Sequence, residues 1–112
     1  MSDCIFCKIA NKEIPSKSVY EDELCYAFYD LEPQAPTHFL VIPKQHIACA
    51  LDIDQSNAAV VGHCYAVIAK IAKELGLDSY RVVNNCGESA GQSVFHLHFH
   101  VLAGRDMTWP TG

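Results

Sequence analysis

The longest hydrophobic pattern in the chain predicts one amphipathic helix. From Asp54, a residue type that caps helices, apolar residues recur at helical spacing until Gly76 provides a C-terminal stop. These residues are Val60, Val61, Cys64, Val67, Ile68, Ile71 and Leu75. Because they form one apolar stripe, the helix is expected to lie against another apolar surface.

Short runs rich in aromatic and β-branched residues predict the strands of a sheet. The first two runs flank an acidic turn and indicate a β-hairpin, whereas the third ends at Pro43, which cannot donate to a ladder. The chain is therefore expected to be a single α+β domain, 1–112, with one long helix on an antiparallel sheet of about five strands. The predicted strands span residues 18–21, 24–30, 38–42, 80–84 and 94–102, with one or two helical turns over 4–12 and an irregular tail over 105–112.

Composition and charge exclude several classes of protein. Half of the 112 residues are apolar, which is enough for one modest core. The net charge of -5 and the pI near 5.6 argue against binding to nucleic acid, because no Lys/Arg cluster is present to replace counterions. The sequence has no basic leader followed by an apolar run, and no apolar stretch of about 18 residues. We therefore expect a cytoplasmic protein that does not associate with membranes.

The six cysteines fall into different groups. Cys25, Cys49 and Cys64 stand singly in apolar stretches, which is typical of buried thiols rather than of a disulfide framework. Cys4 and Cys7 have the C-x-x-C spacing at which two thiolates can share a metal ion or form a redox pair. No thioredoxin-like βαβ pattern accompanies this pair, which disfavours the redox alternative.

Three histidines alternate with apolar residues in the last predicted strand. Because residues two apart lie on the same face of a strand, His96, His98 and His100 are expected to point one way. Packing does not explain three imidazoles in a row, since each one has polar nitrogens that need partners when covered. The three histidines therefore indicate a chemical function. Two alternatives stay open: a solvated sheet face on which histidine is tolerated, and a catalytic zinc site with an open position. The intervening residues are expected to point into the core: Phe95, Leu97, Phe99 and Val101.

The segment from Gly87 to Ser93 immediately precedes these histidines. Its glycines permit close backbone approach, and its amide groups and hydroxyl suit a bound phosphate. The alternative is an ordinary connection between two strands.

The histidine segment matches the His-φ-His-φ-His-φ-φ signature of the histidine triad (HIT) superfamily, and further motifs resemble its Hint branch, the purine nucleoside phosphoramidases. This resemblance covers almost the entire chain. It implies a homodimer of α+β subunits that hydrolyses purine nucleoside phosphoramidates, of AMP or GMP, through a nucleotidyl-histidine intermediate. The motifs are Cys4-Ile-Phe-Cys-Lys-Ile, Gln34-Ala-Pro-Thr-His-Phe-Leu-Val-Ile-Pro-Lys44, Gly91-Gln-Ser-Val-Phe-His96, His96-Leu-His-Phe-His100-Val-Leu and Trp109-Pro.

The resemblance also implies roles for individual residues. His98 corresponds to the nucleophile, His100 to the phosphate contact, His38 to a supporting histidine, and Ser93 to a residue near the leaving group. By the same resemblance, Asp30 corresponds to the acid that binds the ribose, a role that suits a carboxylate since it can accept two hydroxyl hydrogen bonds. The implied nucleotide contacts are Ile5, Phe6, Phe28, Asp30, Leu31, Asn85, Gln92, Ser93, His98, His100 and Trp109. For the apolar residues the alternative is a place in the core, for His38 a satisfied polar group, and for Trp109 an anchor of the tail.

Some triad proteins have a C-x-x-C pair that binds zinc together with two histidines. By this resemblance, Cys4, Cys7, His46 and His96 are expected to hold one structural zinc ion, for which two thiolates and two imidazoles are the usual tetrahedral ligands. The alternative is a pair of reduced cysteines with His46 on a surface turn. No organic cofactor is expected.

The chain departs from the family pattern at two places. Ala103-Gly104 stands where the family has a glycine pair after the triad, and Trp109-Pro-Thr-Gly112 stands where it has Trp-Pro-Pro-Gly. Neither change touches the proposed chemistry, but the second leaves the leaving-group preference open. Three classes of function remain: a nucleotidyl-histidine hydrolase, a zinc-dependent hydrolase, and a nucleotide-binding interaction module with little turnover. Within the first class, dinucleoside polyphosphate hydrolases and nucleotidyl transferases are the alternatives to the phosphoramidase.

Overall fold

The computed structural model describes residues 3–111. Five antiparallel strands form one sheet, in which the fifth strand of the chain lies between the third and the fourth. This arrangement, with one long helix on the sheet, confirms the predicted α+β class. The strands are β1 (Ser18–Glu21), β2 (Cys25–Tyr29), β3 (Thr37–Pro43), β4 (Arg81–Val83) and β5 (Phe99–Ala103), and the helices are α1 (Ile5–Ala10) and α2 (Ala58–Leu75), with short 3-10 turns at Ala50–Asp52 and Glu88–Ala90.

The alternation of side chains along β2 and β3 gives the sheet two buried faces. Odd-numbered residues such as Phe39 and Val41 pack under α2, in the larger core. Even-numbered residues such as Phe28 and Leu40 pack under α1, in a second cluster on the opposite face. His38, His98 and His100 have even numbers too, and His98 and His100 line a cavity beside α1. The sheet therefore separates the apolar core under α2 from the face that carries the histidines.

The long helix begins three residues later than its sequence pattern predicts, with Asn57 instead of Asp54 at the N-cap position. Asp54 does not cap it; its carboxylate instead accepts hydrogen bonds from the amide and hydroxyl of Ser56, and its own amide donates to Asn57 Oδ1. Because these bonds hold a turn, the helix starts at Ala58. Its end is as predicted, since Gly76 takes the left-handed conformation at φ 72°.

The last strand is shorter than predicted, because residues 94–98 leave the sheet. The amide of Leu97 donates to the carbonyl of Ile47 at 2.6 Å instead of joining the ladder. Leu97 is still buried, but Phe95, predicted to point into the core, is 49% exposed. The expectation that all three triad histidines lie on one strand was therefore wrong, and only His100 lies within β5.

A polar network ties the β1–β2 hairpin to α2. Asp22 accepts hydrogen bonds from the amides of Leu24 and Cys25, from the Tyr20 hydroxyl and from His63 of the helix. Burial opposes ionisation of this carboxyl group, but the four hydrogen bonds outweigh it and lower the pKa of Asp22 to about 2.

The three cysteines predicted as buried thiols have two different environments. Cys25 and Cys64 are fully buried, and their Sγ atoms lie 3.2 Å apart between β2 and α2. Cys49 is only half-buried, because it precedes a surface 3-10 turn and donates to Asp52. Among the helices of residues 3–111, none has the length and apolar character needed to cross a membrane.

Candidate active site

A cavity of about 360 Å³ opens on the face of the sheet beside α1. One wall is apolar and comes from α1, β2 and β3, whereas the floor carries two histidines and one carboxylate. The cavity is lined by Ile5, Phe6, Ile9, Phe28, Tyr29, Asp30, Leu31, Leu40, Asn85, Gly91, Ser93, Val94, His98 and His100. An apolar slot with a few converging polar groups is typical of a small-molecule binding site.

His98 is held in one orientation by its own main-chain neighbours. Its Nδ1 lies 2.7 Å from the carbonyl oxygen of His96, so Nδ1 carries the proton and donates. The side-chain amide of Asn84 donates to the His98 carbonyl at 2.9 Å, and the Phe6 ring stands edge-on to the imidazole at 5.0 Å. Burial lowers the pKa of His98, although the His96 carbonyl and Asp30 oppose this. A neutral imidazole with Nδ1 protonated presents an unprotonated Nε2.

A hydrogen-bonded chain fixes the tautomers of the other two histidines at the site. The backbone amide of Gln34 donates to His38 Nδ1 at 3.0 Å, which makes Nδ1 an acceptor and leaves the proton on Nε2. His38 Nε2 lies 2.9 Å from His100 Nδ1 and donates to it. The proton of His100 is therefore on Nε2, where it can donate to a bound anion.

Burial keeps these two imidazoles neutral. Burial lowers the pKa of His38. Burial and the neighbouring His98 and His38 rings lower the pKa of His100 to about 4. Asp30 opposes both changes. Asp30 Oδ2 lies 3.5 Å from His38 Nε2 and 4.0 Å from His100 Nδ1. Its Oδ1 accepts from the amide of Glu32 at 2.7 Å. The carboxylate is thus anchored at the edge of the slot.

The glycine-containing loop before the triad is held by Gln92. The resemblance implies that Gln92 contacts the nucleotide, but its side chain is buried and all its hydrogen bonds go to the protein. Its amide nitrogen donates to the carbonyls of Ala48 and Val94, and its oxygen accepts from the amide of Gly87. Gln92 therefore lies outside the cavity lining, and its hydrogen bonds hold the loop that places Ser93 at the cavity.

A cluster of two thiols and two imidazoles lies behind the cavity, where Cys4, Cys7, His46 and His96 bring their donor atoms within 4.8 Å of one another. Tetrahedral zinc, with bonds of about 2.3 Å to sulfur and 2.0 Å to nitrogen, needs donors roughly 3.3 Å apart for two nitrogens and roughly 3.5 Å apart for nitrogen and sulfur. The two Nδ1 atoms lie 3.2 Å apart; His96 Nδ1 lies 3.2 Å from Cys4 Sγ and 3.4 Å from Cys7 Sγ, and His46 Nδ1 lies 3.4 Å from Cys7 Sγ.

The protonation of His96 also suits metal binding. Its Nε2 donates to the carbonyl of Pro43 at 2.8 Å, which leaves Nδ1 unprotonated and directed at the thiols. Burial, with the His46 and His98 rings, lowers the pKa of His96 to about 4, although the Pro43 carbonyl opposes this. The donor set and its spacing therefore fit zinc.

Most of the residues singled out in the sequence meet at these two places. Trp109 does not: it is 82% exposed and lines a separate depression, which it shares with Asn85. Residues missed by sequence reasoning are Ile9, Tyr29, Leu40 and Val94 in the lining, and Asn84 and Gln34 behind it. Of these, Ile9 had a usable signal, because it follows Ile5 by one helical turn.

Comparison with known proteins agrees with this architecture. The HIT domain family matches residues 11–107. An uncharacterized HIT-like protein of Synechococcus elongatus is 50% identical over 98% of this chain and 97% of its own length. The crystal structure of a HIT family hydrolase from Legionella pneumophila superposes with a TM-score of 0.96 at 46% identity, covering 98% of this chain and all of the other. A histidine triad protein from Clostridium difficile gives 0.93 at 54% identity, with 96% of each chain covered.

The fold and the site together define the class of protein: a five-stranded antiparallel sheet with one long helix, carrying histidines at an apolar cavity. The chain belongs to the HIT domain family, and it is similar to proteins described as HIT family hydrolases.

Proposed function

We propose that this protein is a purine nucleoside phosphoramidase, which cleaves the P–N bond between AMP or GMP and an amine. The observation that carries the proposal is the fixed tautomer of His98, whose Nδ1 donates to the His96 carbonyl and whose Nε2 is left as a nucleophile at the edge of the cavity. The apolar wall formed by Ile5, Phe6 and Phe28 suits a purine base. Asp30 suits the ribose hydroxyls.

The proposed reaction has two steps. His98 Nε2 attacks the phosphorus, the P–N bond breaks, and the departing amine takes the proton of the Ser93 hydroxyl, which Ser93 regains from the attacking water in the second step. The nucleotidyl group is then on His98, and a water molecule hydrolyses it to the nucleoside monophosphate with return of the free imidazole. His100 Nε2–H donates to a phosphate oxygen in both steps, and the His96 carbonyl stabilises the positive charge that develops on the His98 ring.

The side-chain directions favour this reaction over a catalytic metal held by the triad. His96 turns its Nδ1 to the cysteine cluster, while His98 and His100 use their Nδ1 atoms for hydrogen bonds. Within residues 3–111, His96 and His100 belong to two different groups of side chains that could hold a metal, and His98 belongs to no such group. The three imidazoles therefore do not converge on one point.

A substrate panel tests the proposal. We expect turnover of a fluorogenic AMP phosphoramidate and its GMP counterpart, with much slower cleavage of diadenosine polyphosphates. Preferred cleavage of the polyphosphates would assign the chain to that branch of the superfamily instead. Nucleotide binding without turnover of any substrate would favour the interaction module.

We further propose that Cys4, Cys7, His46 and His96 hold one structural zinc ion per subunit. The support is the fit of the donor separations to tetrahedral zinc and the hydrogen bond that orients His96. Metal analysis of protein purified without chelator should give about one zinc per subunit, strongly reduced in a Cys4→Ser/Cys7→Ser variant. A content far below one, unchanged in the variant, would contradict the site.

A further inference from the structure

We infer that occupation of the Cys4/Cys7/His46/His96 cluster and binding of a nucleotide in the neighbouring cavity strengthen each other. The inference rests on the proposed function, because it takes a nucleoside monophosphate as the ligand of the cavity. Two physical connections between the two sites carry it.

The first connection is helix α1. Cys4 is its N-cap and Cys7 lies in its first turn, with the amide of Cys7 donating to Cys4 Sγ at 3.3 Å. Phe6 lies between the two cysteines, and its ring packs edge-on against Phe28 at 5.5 Å and against His98 at 5.0 Å. The same helix supplies Ile5 and Ile9 to the cavity wall. The cluster thus holds the segment that forms the apolar side of the slot.

The second connection is the main chain of His96. Its imidazole Nδ1 lies 3.2 Å from Cys4 Sγ, and its carbonyl oxygen accepts the hydrogen bond from His98 Nδ1. The ring is also anchored on the other side by the Pro43 carbonyl. A metal ion that restrains His96 therefore restrains the acceptor that orients the His98 ring.

The length of α1 explains why this restraint affects affinity. A helix of six residues is not stable by itself, so its docked position depends on tertiary contacts. A nucleotide needs the docked position, and its apparent affinity falls with the fraction of molecules in which α1 is docked. Because coupling between two ligands is reciprocal, the nucleotide must tighten zinc binding by the same factor.

Calorimetric titration with AMP tests the coupling directly. The dissociation constant of AMP is expected to rise at least about fivefold when zinc is removed, which is the lower end of typical couplings between sites. Saturating AMP should tighten zinc binding by the same factor in competition with a chelating dye. This second measurement starts from the zinc-loaded protein and needs no AMP titration of the depleted protein.

Matched variants separate the coupling from general loss of stability. Cys7→Ser should weaken both zinc and AMP binding, whereas Cys49→Ser, which removes a cysteine outside the cluster, should change neither. Phe6→Leu should keep the zinc but bring the ratio of AMP affinities with and without zinc towards one.

The outcomes distinguish this inference from the proposed function. Equal affinity for AMP with and without zinc would overturn the coupling and leave the proposed function standing. Absence of AMP binding by the zinc-loaded protein would overturn the proposed function, and the coupling with it. Absence of zinc binding would also overturn the coupling.

Discussion

Replacement of His38 tests whether the hydrogen-bonded chain from Gln34 to His100 sets the protonation of the site. His38→Asn retains an oxygen near the position of Nδ1, so it can still accept from the Gln34 amide, but it does not reach His100. His38→Gln has an amide nitrogen near the position of Nε2 and can still donate to His100 Nδ1. The two variants thus remove opposite halves of the chain.

The expected decrease in kcat follows from the burial of the hydrogen bond between His38 and His100. In His38→Asn, the Nδ1 atom of His100 loses the donor that now lies 2.9 Å away. An unpaired buried acceptor costs about 1–3 kcal/mol. If the whole cost falls on the transition state, kcat decreases roughly 5- to 150-fold. His38→Gln should lose much less, and KM should change little in both, because the base and ribose contacts are untouched.

Steady-state kinetics with an AMP phosphoramidate, together with thermal unfolding, makes the comparison. Both variants lose a buried imidazole and should be destabilised by similar amounts, so stability does not explain a difference in kcat. Long-range 1H–15N correlation spectra of histidine-labelled protein provide a direct reading: the proton should be on Nε2 in His38 and His100, and on Nδ1 in His98. Equal kcat values for the two variants, or a His100 protonated on Nδ1, would refute the reasoning.

Three further predictions concern the surroundings of the site. Asp22→Asn should lower the free energy of unfolding by about 1.5 kcal/mol at pH 7, a value reduced for partial exposure. The pKa of Asp22 is lowered in the folded state, so the wild type should have its full excess of unfolding free energy above about pH 4 and lose it towards about pH 2. Urea unfolding at several pH values measures this excess, and an excess that persists at the lower pH would contradict the prediction. Light scattering should give twice 12.4 kDa, from a homodimer formed mainly by α2 and an adjoining strand, and a fully active monomer at micromolar concentration would count against it. Asn84→Ala should lower kcat several-fold by releasing the His98 carbonyl, with a wild-type kcat as the contrary result.

The sequence predicts the elements whose periodicity is long or strict. The stripe from Val60 to Ile71 leads to the correct helix, and the short apolar runs of β2 and β3 lead to the correct strands, because both faces of these strands are covered. The start of α2 is missed since a local turn around Asp54 competes with the helix. Capping preference does not distinguish the two, because both use the same side chain.

The triad segment shows where local patterns fail. The alternation from His96 to His100 is that of a strand, yet Leu97 bonds to Ile47, and strand pairing begins only at Phe99. A partner 50 residues away in the chain is not visible in a local pattern. Most residues of the cavity were therefore predicted through the family resemblance, whereas the residue pattern alone pointed to the histidines and to the loop of residues 87–93.

Two other features could not be predicted from the sequence, for a related reason. Cys4 and His96 are 92 residues apart, and only the folded sheet and α1 bring them together. The Gln34 amide and the His96 carbonyl belong to the main chain, so no residue type indicates their roles. Sequence reasoning found the His98 side chain, whereas its orientation had to come from the structure.

The central claim is that His98 Nε2 becomes covalently bound to the nucleotide. Protein mixed rapidly with an AMP phosphoramidate, quenched without acid and digested for mass spectrometry should have one nucleotidyl group on the peptide that contains His98. The group should be absent from a folded His98→Gly variant, whose turnover should fall on the order of 10³-fold or more, ~4 kcal/mol of barrier. A nucleotidyl group on Ser93 or His100, or near-normal turnover in the variant, would contradict the account.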